Sequence, residues 1–248
     1  MQIIPLSEGA FTIDKTKAFV PFDLEKDVLN DRATGSLLVE IQPFVVITEN
    51  DVILFDTGLG HTNADGTLQL HTNLKKAGID PSHVTKVLMS HLHRDHAGGI
   101  TMQDPQTQQQ FISFPYATYY IQRREFDFAS EGGSSSYVPE DYAILNEFSR
   151  VAWLTEDEGT IDGYIKYQLT GAHSKFHQVF WLEEKGKKIF FGGDVAPQLQ
   201  QMKSRFVAKY DYDGKLCMEL RKQWWEEGQK ENWTFLFYHD IKSPVFSF

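Results

Sequence analysis

Short β-branched apolar runs, broken by turn residues, fill the first third of the chain. The stretches "GSLLVEIQPFVVITEN" (35–50) and "DVILFDTGLG" (51–60) flank Glu49-Asn50-Asp51 and predict a hairpin. "LHTNLKKAG" (70–78) has helical spacing closed by Gly78, and "HVTKVLMS" (83–90) reads as a buried strand. "ATYYIQRREFDFA" (117–129) predicts a strand followed by a helix, and "SEGGSSSYVPED" (130–141) an exposed loop. A helix is then expected over "EDYAILNEFSRV" (140–151).

The second half repeats the scheme. "GYIKYQLTG", "HQVFWLEEKGKKIFFGGD" and "TFLFYH" read as strands, with Glu184-Lys185-Gly186 as a hairpin tip. Between Asp213 and Trp233 the apolar residues Leu216, Leu220 and Trp224 recur every four positions, and Glu226 with Lys230 form an i, i+4 pair, which predicts an amphipathic helix. Strands followed by helices, twice over, indicate an α/β fold of two sheets packed face to face with helices outside, and not a doubly wound parallel sheet. A single domain over 1–248 is the expectation.

Charge narrows the function classes. A formal net charge of −10 and a pI near 5.3 argue against a phosphate-tracking nucleic-acid surface and against anionic membranes. One cysteine, Cys217, rules out an intrachain disulfide and a thiolate zinc knuckle, and its helical neighbours make it a buried apolar thiol. The start lacks the pattern of a signal peptide and no apolar run is long enough to span a bilayer, so a cytoplasmic location is expected.

The chemistry is concentrated in "SHLHRDHAGG" (90–99), which holds three of the nine histidines and an aspartate within six positions. His91 and His93, two apart, point to one side of an extended chain and cannot share a helix face. Asp95 and His96 follow as the chain turns, with Gly98 and Gly99 giving backbone freedom. Imidazole and carboxylate are natural ligands for zinc, manganese or iron, and this grouping can feed two adjacent metals.

H-x-H-x-D-H resembles the signature of the metallo-β-lactamase fold superfamily. "LFDTGLG", "TGAHSKFHQ", "FFGGD" and "FYHD" resemble that family's further elements, in order, over nearly the whole chain. The resemblance implies a four-layer αββα sandwich and two divalent metal ions, zinc first, with manganese, iron or cobalt as alternatives. It implies that His91, His93 and His173 hold one metal and Asp95, His96 and His239 the other, with Asp194 bridging and Asp56 orienting a ligand imidazole. A second histidine, His177, reads as a satisfied residue opening a strand. His61, His71 and His83 read as solvated, and Trp224 as core.

A metal pair generates a hydroxide nucleophile at neutral pH, and Asp95 is the group expected to orient it and relay a proton to the leaving oxygen. Within the superfamily, "DTGLG", "HLHRDHAGG" and "FYHDIKSP" look most like the N-acyl homoserine lactonase branch, which implies hydrolysis of a lactone, ester or related small molecule by a monomer or homodimer. Where that branch has a tyrosine three residues after the bridging aspartate, this chain has Pro197, so Tyr210 or Tyr212 is the candidate replacement. The substrate wall is expected from 17–35, the Gly/Ser loop with Tyr137, and 196–214, with Phe19, Phe22, Phe206, Tyr210 and Tyr212 as apolar contacts. Other readings are a nuclease of the same superfamily, a mononuclear iron dioxygenase, and a non-catalytic metal-binding sensor module.

Overall fold

The computed structural model describes residues 1–104 and 106–248. Along the first half run the strands β1 (Gln2–Pro5), β2 (Gly9–Ile13), β3 (Phe19–Pro21), β4 (Leu37–Ile41), β5 (Phe44–Ile47) and β6 (Val52–Phe55). They are followed by β7 (Lys86–Leu88), β8 (Thr101–Gln103), β9 (Gln110–Ile112), β10 (Thr118–Gln122) and β11 (Val151–Leu154). The second half adds β12 (Glu158–Ile161), β13 (Ile165–Leu169), β14 (Gln178–Glu184), β15 (Lys187–Phe191), β16 (Thr234–Leu236) and β17 (Val245–Ser247). The α-helices are α1 (Gln69–Lys76), α2 (Arg94–Ala97), α3 (Arg123–Ser130), α4 (Leu199–Met202) and α5 (Gly214–Glu231).

Two six-stranded sheets, ordered β1-β5-β6-β7-β10-β11 and β12-β13-β14-β15-β16-β17, carry the architecture. Because side chains alternate faces along a strand, each sheet serves two cores at once. Val46, Ile53 and Phe55 of the first sheet meet Phe180, Leu182, Ile189 and Phe191 of the second in one buried cluster between them. The intervening residues Val45, Leu54 and Val87 face outward onto Leu70 and Leu74 of α1 and Phe126 of α3. On the far side, Val179, Trp181, Phe190 and Phe235 pack against Cys217 and Trp224 of α5. The result is helix, sheet, sheet, helix, as the resemblance implied. Each large apolar side chain so buried contributes about 1.5–3 kcal/mol.

Several elements form as their sequence dictates. The β5–β6 hairpin pairs Ile47 with Val52 across the expected turn. Helix α5 opens where the Asp213 carboxylate accepts from the Leu216 N–H at 2.9 Å, and ends at Asn232 in the left-handed region. Cys217 and Trp224 are buried on it as expected, but Glu226 pairs with Lys222, one turn back, and not with Lys230.

Other stretches depart from expectation. The apolar run 35–50 is two strands, because Pro43 has no N–H for a ladder: β4 joins β2 and β3 in a small sheet, while β5 joins the main one. The helix expected over 140–151 is absent. Two 3-10 turns, Pro139–Asp141 and Ala143–Asn146, meet at fully buried Tyr142, whose φ of −134° breaks any helical run, and the chain then extends into β11. The pairing of β11 with β10 in a parallel ladder overrides the local helical pattern.

The functional residues gather at one end of the sandwich. Strands β6 and β7 are parallel in the first sheet, and β15 and β16 are parallel in the second. The loops leaving the carboxyl ends of these four strands carry Asp56, the His91–His96 segment, Asp194 and His239.

Candidate metal centre

Asp56 follows β6 directly, fully buried and with φ of +53°, a conformation that aspartate tolerates better than most residues. Its Oδ1 accepts from the Ser90 N–H at 2.7 Å, and its Oδ2 accepts from Ser90 Oγ at 2.7 Å and from His96 Nδ1 at 2.8 Å. Ser90 Oγ, having given its proton to Asp56, accepts from His91 Nδ1 at 3.0 Å. One carboxylate thereby sets the tautomer of two imidazoles, His96 directly and His91 through a hydroxyl.

Two further histidines are fixed the same way. His239 Nδ1 donates to the Glu40 carbonyl at 2.7 Å, and His173 Nδ1 to Asp211 Oδ1 at 2.8 Å. With each outer nitrogen committed as a donor, the inner Nε2 of His91, His96, His173 and His239 is a lone pair directed at the same small space. His91 Nε2, His96 Nε2 and Asp194 Oδ1 are buried there with no hydrogen-bond partner among the described residues. His173 Nε2 faces His93 Nδ1 at 3.2 Å. Lone pairs and carboxylate oxygens pointed at one another call for cations between them.

Two groups emerge from this geometry: His91, His93 and His173, and Asp95, His96, Asp194 and His239, with the ligand atoms of each within 4.8 Å of one another. Asp194 joins them, one oxygen 3.3 Å from His173 Nε2 and the other 3.1 Å from His96 Nε2 and 3.0 Å from His239 Nε2. Burial, then the neighbouring imidazoles, keeps His91 and His93 neutral, as ligands must be. The side chains named from the sequence as ligands are all brought together here.

His177 is fully buried against the cluster, with Nε2 accepting from the Asp194 N–H at 3.2 Å and its ring 5.0 Å from that of His91. It is satisfied, as read from the sequence, and it also steadies the backbone of Asp194. His61 and His83 are exposed, but His71 is not solvated: Nε2 hydrogen-bonds the Ser113 carbonyl at 2.9 Å and the ring packs on Phe114.

Asp211 and Ser90 have no separate signal in the sequence, since their roles depend on loops meeting in space. Glu125 is a third such residue. Its buried carboxylate accepts from the Leu92 N–H, the Tyr137 hydroxyl and Ser174, tying the loops of His91–His93 and His173 together.

A cavity of about 780 Å³ opens onto Asp95, Asp194 and His239. Its wall includes Lys17, Phe19, Phe206, Tyr210 and Pro197 from the expected segments, Ser135 and Ser136 from the Gly/Ser loop, and also Ile13–Thr16 and Leu37–Val39 from the small β2–β4 sheet and its hairpin. Tyr137 does not line it, because its hydroxyl is drawn inward to Glu125 and its ring lies against His93. Phe22 is buried, and Tyr212 points away into solvent, so Tyr210 is the tyrosine on the wall.

Among relatives of known activity, an N-acyl homoserine lactonase from Bacillus cereus is 25% identical over 241 residues, covering 88% of this chain and 89% of that protein. The lactonase AttM from Azorhizobium caulinodans is 43% identical over 56 residues, 23% of this chain and 17% of its own length. A solved structure described as a probable metal-dependent hydrolase from Staphylococcus aureus superposes with a TM-score of 0.79 at 22% identity, covering 99% of this chain and 91% of that one. No helix among the described residues is long and apolar enough to cross a membrane. A sequence profile of the metallo-beta-lactamase superfamily matches residues 39–229, the span that holds every residue of the centre except His239, and with the layered fold and the paired ligand groups it establishes that the chain belongs to that superfamily.

Proposed function

We propose that the protein is a metal-dependent hydrolase of a small lactone or ester. In this reading His91, His93 and His173 hold one divalent cation, Asp95, His96 and His239 a second, and Asp194 both, with zinc the first choice. The observation that carries it is the convergence of two groups, His91, His93 and His173, and Asp95, His96, Asp194 and His239, with the ligand atoms of each within 4.8 Å of one another. When bound, such a cation pair lowers the pKa of a shared water toward neutrality and polarises an ester carbonyl.

The chain's own groups do the rest. Asp95 lines the cavity with Oδ2 3.5 Å from His239 Nε2, in position to orient the attacking water, take its proton and deliver it to the departing alkoxide. Burial, then Asp211 and Asp194, push the Tyr210 hydroxyl up, so it stays protonated and serves as a hydrogen-bond donor to the substrate carbonyl, in the place Pro197 leaves vacant. Phe19, Leu37 and Phe206 offer apolar surface to an acyl group. The lactonase activity of the Bacillus cereus relative agrees with this class of substrate.

Elemental analysis of the purified protein, joined to a panel of lactones, carboxylic esters and phosphotriesters, tests the proposal. Two cations per chain are expected, with hydrolysis lost on chelation, restored by zinc, manganese or cobalt, and reduced at least about 100-fold in His93→Ala. Turnover by metal-free protein, or no turnover of any panel member by the fully loaded protein, overturns it.

A further inference from the structure

The cavity mouth is charged against the trend of the molecule. The chain carries −10 overall, yet beyond the metal centre the charged residues lining the cavity are Lys15, Lys17 and Arg94 against Asp14 alone. Asp14 is spent locally, accepting from the Thr16 N–H and hydroxyl at 2.8 and 2.6 Å. Arg94 sits by Asp141, whose carboxyl it helps to hold down against burial.

Lys17 is different. It lies at the tip of the β2–β3 hairpin, between Ile13 and Phe19, which pair across the strands and both line the cavity. The turn is closed by its N–H to the Asp14 carbonyl at 3.1 Å, with Lys17 at φ of +61°. Lys17 makes no ion pair among the described residues. Lys17 lines the same cavity as His93, Asp95, Asp194 and His239. Lys17 is thus an exposed cation without an ion pair among the described residues, at the rim of a mostly apolar cavity in an acidic protein.

We propose that Lys17, supported by Lys15, binds an anionic group of the substrate, so that the natural substrate is an ester or lactone bearing a carboxylate remote from the bond that is cleaved. This rests on the hydrolase reading and narrows it. The anion draws the substrate to the mouth, where an acidic surface otherwise repels it, and orients the acyl part along Phe19 and Leu37. Lys17 contributes to binding and not to the chemical step, so its loss appears in KM and leaves kcat nearly unchanged.

The test compares 4-nitrophenyl hydrogen glutarate, which has a free terminal carboxylate, with its methyl-capped counterpart, using metal-loaded wild type, Lys17→Met and Lys17→Arg. Wild type is expected to prefer the free acid in kcat/KM by about fivefold at low salt, the size of one partly exposed ion pair, with the preference shrinking in 0.5 M NaCl. Lys17→Met abolishes it through KM, and Lys17→Arg retains it. Calorimetric binding of glutarate against monomethyl glutarate reads the same preference without turnover. If the binding preference appears and disappears with Lys17 while no ester is hydrolysed, the hydrolase reading fails and the Lys17 site stands. If esters are hydrolysed and Lys17→Met leaves both preferences unchanged, the Lys17 proposal is overturned.

Discussion

Asp211 shows what a single side chain adds at the residue scale. It is placed beside His173 by the segment leading into α5, where the Tyr212 N–H reaches the His173 carbonyl at 3.0 Å. Its carboxylate fixes which nitrogen of His173 faces inward and enriches that nitrogen as a donor. Asp211→Asn retains shape and loses the charge, and metal affinity is expected to fall about 10–100-fold, measured by competition with a chromophoric chelator. An affinity equal to wild type would show that His173 needs no such partner. Of the candidate ligands, His91, His93, Asp95 and His96 were readable from the short spacing of "SHLHRDHAGG", and His173, Asp194 and His239 only from the resemblance of "TGAHSKFHQ", "FFGGD" and "FYHD" to family elements; Asp211, Ser90 and Glu125 act across 30 to 50 positions and leave no local trace.

At the scale of elements, the centre depends on two loops that interlock through their backbones. The Thr57 N–H donates to the His96 carbonyl at 2.7 Å, and a Cβ added at Gly60 would lie 2.2 Å from the Gly98 carbonyl oxygen. Gly60 also has φ of +74°, so Gly60→Ala meets both a clash with backbone and an unfavourable conformation. A loss of at least about 2 kcal/mol in urea unfolding is expected, because neither loop can yield without moving His96. A cost below about 0.5 kcal/mol, the level of an ordinary surface substitution, would mean the loops are not locked. Apolar periodicity reveals β5, β6, β10, α3 and α5, whereas β1 to β3 and the break at Pro43 carry no periodic signal, since partner strands decide which ladder each run joins.

For the molecule as a whole, buried ionisable groups set how stability follows pH. Glu8 lies under the loop after β6, with Oε2 accepting from the Leu59 N–H at 2.7 Å and Oε1 buried without a partner among the described residues. Burial, only partly offset by that hydrogen bond, raises its carboxyl from 4.5 to about 7. Below pH 4.5 the group is neutral in both folded and unfolded chains and costs nothing. Between 4.5 and about 7 the unfolded chain gives up the proton while the folded one keeps it, so stability falls as pH rises, and above that range the loss is constant. Glu8→Gln removes this slope and is expected to be more stable than wild type at pH 8, by on the order of 3 kcal/mol at most, with the two converging at pH 4. Parallel melting curves at both pH values, with the metal content held the same, would expose the opposite trend.

By itself the sequence determined the layered α/β plan and the cluster His91, His93, Asp95 and His96, because alternation and close spacing are local properties that survive in any fold able to bury those runs; His173, Asp194 and His239 entered only through the family resemblance. Tertiary structure alone decided which imidazole nitrogens face inward, that Tyr210 and not Tyr212 reaches the cavity, and that Lys17 stands at its rim. These depend on directions and distances between segments far apart in the chain, and only packing sets those.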